Sequence, residues 1–179
     1  MLPIVLIIFA LASMLTAGQQ SGAPAVGEYR LGMTRDQVRA VSSCAPYKTV
    51  PATKGLECPN FILGKLKMNI SFVFDGDALS RIQLWFHEGP SEADARKATA
   101  GMLAYLSARG AIHSSEVKGP APLTTDAIFS ALKARNASNQ GARVQVLTAP
   151  TGTPPFVLGS VTQVAAGYYV FVYFSATSR

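Results

Sequence analysis

The chain has 179 residues and a formal net charge of +6, from 16 lysines and arginines against 10 aspartates and glutamates. This length suits one domain or two small fused halves. The basic residues are scattered rather than clustered in long runs, which favours a solvated surface over a nucleic-acid site. We therefore expect no nucleic acid among the partners.

Residues 1–18 are predicted to be an export signal. An uncharged apolar run, LPIVLIIFALASML, is followed by small residues. It is short for a membrane span, which needs about 20 apolar residues. We expect cleavage after Ala17 or Gly18, with Ala12 as an alternative, and an uncleaved anchor is the other interpretation. The sequence thus predicts a periplasmic or secreted protein with no stable membrane span after cleavage.

Residues 19–27, QQSGAPAVG, are small and polar, and they indicate a flexible lead-in. The domain itself is expected to cover residues 28–179.

The two cysteines of the chain, Cys44 and Cys58, are 14 positions apart. In an exported protein such a pair is expected to form a disulfide, and closing this loop stabilises the fold by about 3 kcal/mol. A metal site would need more ligands than His87 and His113, the two histidines, can supply. We therefore predict a structural disulfide, no metal site and no cofactor.

A capping box indicates where the first helix begins. Thr34 is the predicted N-cap and Gln37 the residue that reaches back to it. Met33, before the cap, can pack against Val38 one turn later. The helix is expected to end near Ser43.

A β-meander is predicted after this helix. Residues 45–59 contain three prolines and suggest an irregular loop. Apolar residues then alternate with polar ones over residues 68–74, a turn follows at 75–77, and residues 79–87 form the partner strand. Residues 61–66 are a candidate preceding strand.

The second half again begins with a helix. Ser91 opens it with a capping pattern and Gly110 closes it. A short strand, a helix from Thr124 or Thr125 to about Arg135 and three strands are expected to follow. The last segment, YYVFVYF, is apolar on both faces and predicts a central strand. The expected strands of this half are residues 112–117, 143–147, 156–164 and 168–174.

This order of elements predicts an α+β domain in which helices pack on an antiparallel sheet. The two parts of the chain have the same predicted order of elements, which is a helix, an irregular loop and a meander. A single domain over residues 28–179 is therefore expected, with two similar halves, 28–90 and 91–179, as a further possibility.

Catalytic signatures are not found in the sequence: it contains no HExxH, GxSxG, phosphate-binding loop or dinucleotide fingerprint. His87-Glu88 and the pair His113 and Glu116 could in principle share a proton or a metal. Exposed histidines are the simpler interpretation. We nominate no catalytic residue, and the sequence favours a non-enzymatic role without deciding the question.

The single tryptophan, Trp85, alternates away from the apolar face of its predicted strand. Arg81 and His87 fall on the same side in that register. A tryptophan beside such residues can mark an interface, so the three are candidate binding residues. Burial of Trp85 beneath the second half is the alternative, and the sequence slightly favours it.

Residues 31–38, LGMTRDQV, resemble the "GMT-x-x-Q-V" opening of SmpA/OmlA (BamE-like) proteins and related openings in β-lactamase-inhibitor-protein-like domains. The resemblance covers residues 29–86, about a third of the chain. It implies a small extracytoplasmic domain that binds other proteins and is not an enzyme. The chain departs from BamE-like proteins because it has no lipid-acceptor cysteine, and it is longer than one such unit.

Three functions are therefore compared. The leading hypothesis is a non-enzymatic domain that binds an envelope or secreted protein, as an inhibitor, an immunity-type protein or an assembly accessory. The second is an extracytoplasmic hydrolase that uses His87 or His113. The third is a binder of an anionic polymer or small ligand through a concave basic patch around Arg81, Lys65 and Lys67. The oligomeric state cannot be read from the sequence.

Overall fold

A computed structural model describes residues 24–44, 46–117, 122–136, 141–149 and 154–177. The predicted export signal and residues 19–23 of the predicted lead-in lie outside these ranges. Within the described residues, no helix is both long and apolar enough to cross a membrane.

The first strand of the fold lies before residue 28, where the domain was predicted to begin. Strands β1 (Pro24–Val26) and β2 (Tyr29–Arg30) pair as a small antiparallel sheet. Ala25 and Val26, predicted to belong to a flexible lead-in, are buried in the core. The prediction is wrong for this part of the lead-in because two apolar residues anchor it.

Helix α1 (Arg35–Ala40) begins with the predicted capping box. The Thr34 hydroxyl accepts from the Gln37 backbone N–H at 3.3 Å, and the Gln37 amide oxygen accepts from the Thr34 backbone N–H at 2.8 Å. The helix ends earlier than expected because Val41 already has an extended backbone.

Four strands follow: β3 (Lys48–Val50), β4 (Gly55–Leu63), β5 (Leu66–Asp75) and β6 (Ala78–Gly89). The predicted hairpin is confirmed, since β5 and β6 pair antiparallel with Ile70 opposite Leu84. The segment expected to be an irregular loop instead contains β3 and the start of β4. The Gly55–Leu63 strand is correspondingly longer than the one predicted from residue 61.

The second half contains α2 (Glu92–Ser107) and α3 (Thr125–Arg135), each capped by the predicted residue. Ser91 accepts a hydrogen bond from the Asp94 backbone N–H at 3.2 Å, and Thr124 accepts one from Ala127 at 3.2 Å. The strands of this half are β7 (Ala111–His113), β8 (Ala142–Ala149), β9 (Phe156–Val164) and β10 (Gly167–Ser175).

In the described part of the chain, eight strands form one antiparallel sheet in the order β3-β4-β5-β6-β10-β9-β8-β7. In each half, the strands follow one another in chain order from an outer edge of the sheet to its centre, where β6 pairs with β10. The central position predicted for the YYVFVYF segment is confirmed. The fold combines helices with antiparallel sheet, as expected of the α+β class. More of the described residues are in strands than in helices.

One face of the sheet carries the core. Paired residues on five neighbouring strands point into it, and the row reads Ile70, Leu84, Val172, Gly159, Val146. Helix α2 covers this row, and a side chain at Gly159 would approach Leu106 and Met102 to within 2.7 and 2.9 Å. Helix α1 is on the same side, because Arg35 stacks over Phe74 at 4.3 Å.

The predicted disulfide between Cys44 and Cys58 is present, with the two Cα atoms 5.8 Å apart. It fastens the segment after α1 to strand β4, and both residues are buried. A disulfide indicates an oxidising compartment outside the cytoplasm.

Candidate functional site

A β-bulge in the centre of the sheet decides which side chains share a face. Along β10 and β6, Phe171 pairs with Trp85 and Val170 pairs with His87, so Phe86 is an extra residue on β6. Because paired residues point the same way, Trp85 lies on the face of Phe171, opposite the buried Val170. Phe86 contacts Tyr105 of α2, with ring centroids 5.9 Å apart.

The face opposite the helices carries an aromatic row. Trp85 lies 5.4 Å from Phe171 and 6.4 Å from Tyr169, and Phe171 lies 6.3 Å from Tyr173, measured between ring centroids. All four side chains are half-buried. The described helices pack on the other side of the sheet, so these rings pack against one another and not against a helix. We call this surface the open face.

Two polar contacts fix the row. The Trp85 indole Nε1 donates to the Ser71 hydroxyl at 3.0 Å, which sets the ring plane. At the other end, the Arg81 guanidinium lies 5.2 Å from the centroid of the Tyr173 ring. Arg81 makes no ion pair with another described residue. The Arg81 Nε atom is buried without a hydrogen-bond partner among the described residues.

The open face is large enough for a protein partner. Its six longer strands, at about 4.8 Å each, span about 29 Å, and strands of this length run about 30 Å. The flat area is thus about 870 Å², similar to the roughly 800 Å² that each partner contributes to a standard interface. Tryptophan, tyrosine and arginine at the centre of such a surface are the residue types that dominate binding energy.

Two of the three candidate binding residues are brought together. Trp85 and Arg81 share the open face, but His87 does not, because the bulge at Phe86 turns it to the helix side. There His87 lines a groove of about 420 Å³ between α2 and the start of β5. Simple alternation along the strand missed the bulge, so the shared register predicted for His87 is wrong.

The described residues of the second half do not lie over Trp85 either. The two halves join edge to edge through β6 and β10, so the second half extends the sheet instead of stacking on it. The aromatic residues of β10 that complete the row were not among the candidate binding residues, because their segment predicted only a central strand that is apolar on both faces. Their alternation with Val170 and Val172 is the signal that could have separated the two faces.

The basic patch expected around Arg81, Lys65 and Lys67 is not assembled. Arg81 lies opposite Val73, six residues along β5 from Lys67. At about 3.3 Å per residue the two positions are about 20 Å apart. Lys65 lies beyond Lys67, in the turn that joins β4 and β5.

The histidines do not share a site. His87 is on β6 and His113 on β7, four strand positions away in the sheet. That separation is about 19 Å. Glu116 accepts a hydrogen bond from Ser114 at 2.9 Å. Among the described residues, no group of three or more histidine, cysteine, aspartate or glutamate side chains could hold a metal ion.

The helix side carries groups whose pKa is shifted by packing. Burial raises the pKa of Tyr105 to about 12. A hydrogen bond from Arg96 lowers the pKa of Glu92, which also accepts a hydrogen bond from Tyr168 at 3.1 Å. The hydrogen bond from Tyr168 joins α2 to β10, and an ion pair between Arg96 and Asp126 at 2.8 Å joins α2 to α3. We therefore interpret these contacts as structural.

The open face is therefore the candidate functional site, an aromatic row held by neighbouring strands and flanked by one arginine. Comparisons of the chain with protein-family models, with curated proteins and with solved structures gave no match.

Proposed function

We propose that this protein is an exported, non-enzymatic domain that binds another envelope or secreted protein through the open face. The observation that carries the proposal is the row of Trp85, Tyr169, Phe171 and Tyr173 on a sheet surface that the described helices leave uncovered. Such rings bury a large apolar area at low conformational cost when a partner covers them.

The BamE-like and inhibitor-like resemblance of residues 29–86 supports the same function. The proposed location is the periplasm or the exterior, and the proposed role is an inhibitor, an immunity-type protein or an assembly accessory. We also propose that residues 28–90 and 91–179 are two similar halves. The strand order, in which each half runs from an edge to the centre, supports this reading.

Two arginines allow a matched test. Arg81 stacks on Tyr173 on the open face, and Arg109 stacks on Tyr105 on the helix side at 3.7 Å. The chain from Gln19 onward, immobilised, would be exposed to an envelope extract from its own source. Arg81→Ala and the double variant Trp85→Ala with Phe171→Ala should lose the bound protein, and Arg109→Ala should retain it.

A captured protein can then be titrated in solution, because Trp85 is the only tryptophan of the chain. Covering the open face should change Trp85 fluorescence and shield it from acrylamide. Capture that is identical in all variants would contradict the proposal. So would robust turnover of a cell-wall, ester or peptide substrate, which would revive the hydrolase hypothesis; loss of that turnover in His87→Ala or His113→Ala would assign it.

A further inference from the structure

The tip of the β4–β5 hairpin is apolar on both faces. Ile62 pairs with Lys67 and points to the open face, and Leu66 pairs with Leu63 and points to the helix side. Ile62 is 68% exposed and Leu66 is 45% exposed, the two highest values among the large apolar side chains of the described residues. No single flat surface could cover both aliphatic side chains, because they lie on opposite faces of the hairpin.

Basic side chains surround this tip. Lys65 is in the turn, Lys67 follows it, and Lys97 of α2 lines the groove beside Leu66. The hairpin from Phe61 to Met68 contains no aspartate or glutamate. Within the described residues, none of the three lysines forms an ion pair. Asp94 is the one acidic residue among those that line the groove.

We propose that the β4–β5 hairpin tip docks on the surface of a bilayer that contains anionic phospholipid. A protein partner with a flat surface could cover Ile62 or Leu66 but not both, whereas a fluid lipid interface surrounds the tip. Ile62 and Leu66 lie within two residues of the turn, about 7 Å along the strands, which matches the shallow depth of about 5–10 Å reached by interfacial segments.

The lysines complement this arrangement. Their long side chains keep the ammonium groups at the level of the lipid phosphates while the aliphatic stems follow the tip. Each lysine near an anionic surface strengthens binding about fivefold, and salt weakens that part of the attraction. On the open face, Ile62 lies two strands from Trp85 and two residues nearer the hairpin turn, a separation of about 12 Å. The vesicle assay contains no protein partner, so it tests lipid docking separately from partner binding through the open face.

The test uses the chain from Gln19 onward, which contains every described element without the N-terminal apolar run. Co-sedimentation would be measured with vesicles of phosphatidylglycerol mixed with phosphatidylethanolamine, and with vesicles of phosphatidylcholine alone. We expect binding to the anionic vesicles. The double variant Ile62→Ser with Leu66→Ser should bind them about tenfold to hundredfold more weakly.

Two further variants separate the contributions. Val164→Ser removes another exposed apolar residue, 38% exposed and outside the hairpin, and should leave binding unchanged. Lys65→Glu with Lys67→Glu should abolish the preference for anionic vesicles. Circular dichroism would establish that each variant is folded.

Three outcomes would overturn the proposal. The first is equal binding to both kinds of vesicle, and the second is binding that survives the double serine variant. The third is a dimer of the wild-type chain, measured by light scattering, that the serine variant loses, because the tip would then be covered by a second copy.

Discussion

Removal of the Cys44–Cys58 disulfide should destabilise the fold by an amount that its position allows to be calculated. The bond joins residues 14 positions apart. Closing a loop of about 15 residues contributes about 3 kcal/mol, chiefly by restricting the unfolded chain. For a domain of this size, each kcal/mol changes Tm by about 2–4 °C. We therefore expect Tm to fall by about 6–12 °C when the bond is broken.

The assay is thermal unfolding followed by circular dichroism, for the oxidised protein, the protein reduced with dithiothreitol and the variant C44A/C58A. Reduction breaks the bond without removing atoms from the two buried sites, so it isolates the effect of the cross-link. Either single alanine variant should lose as much stability as the double variant, because each one alone removes the bond.

A reduced protein whose Tm stays within about 2 °C of the oxidised value would refute this reasoning. It would mean that the segment between the cysteines is already restricted in the unfolded chain. Additive losses in the two single variants would instead assign the effect to the packing of each side chain.

Further substitutions test the packing around the sheet. Gly167→Ala should cost at least about 1–3 kcal/mol in urea unfolding, because Gly167 has φ +138° and a side chain there would clash with the Gly89 backbone; Gly76→Ala, at φ +59° with open space around it, should cost only about 1–2 kcal/mol. Tyr105→Phe should raise Tm by about 2–4 °C, because the Tyr105 hydroxyl is buried without a partner among the described residues; a lower Tm would contradict this. Glu92 has a lowered pKa, so its stabilising contribution is present above about pH 4.5 and is lost as the pH falls through its folded value; Glu92→Gln should flatten the acid side of the stability profile, and an unchanged profile would exclude that contribution.

The features that could be predicted from the sequence are those fixed by neighbouring residues or by compartment. The capping box of α1 needs only Thr34 and Gln37, and the β5–β6 hairpin needs only alternation and a turn. The disulfide followed from two cysteines in a chain that was predicted to be exported. The central place of β10 followed from its run of aromatic and β-branched residues, which favours a strand with a neighbour on each side. That run did not reveal that Tyr169, Phe171 and Tyr173 lie on the uncovered face.

The features that were missed depend on distant residues. Strand β3 has no local apolar pattern and exists because Lys48–Val50 finds the edge of β4. The bulge at Phe86 exists because β6 must match β10, and this moved His87 away from Trp85. The open face could not be predicted because its rings come from both halves of the chain. No residue near Trp85 in the sequence indicates that β10 is the neighbouring strand.

The pairing of β6 with β10 also has a consequence for synthesis and folding. Strand β10 is the last described strand of the chain, so residues up to Gly89 emerge long before their partner. Until then β6 is an unpaired edge with Trp85 on it, and such edges invite pairing with other chains. A fragment that ends before β10 should therefore aggregate, because the strand that completes the open face is also the strand that protects the first half.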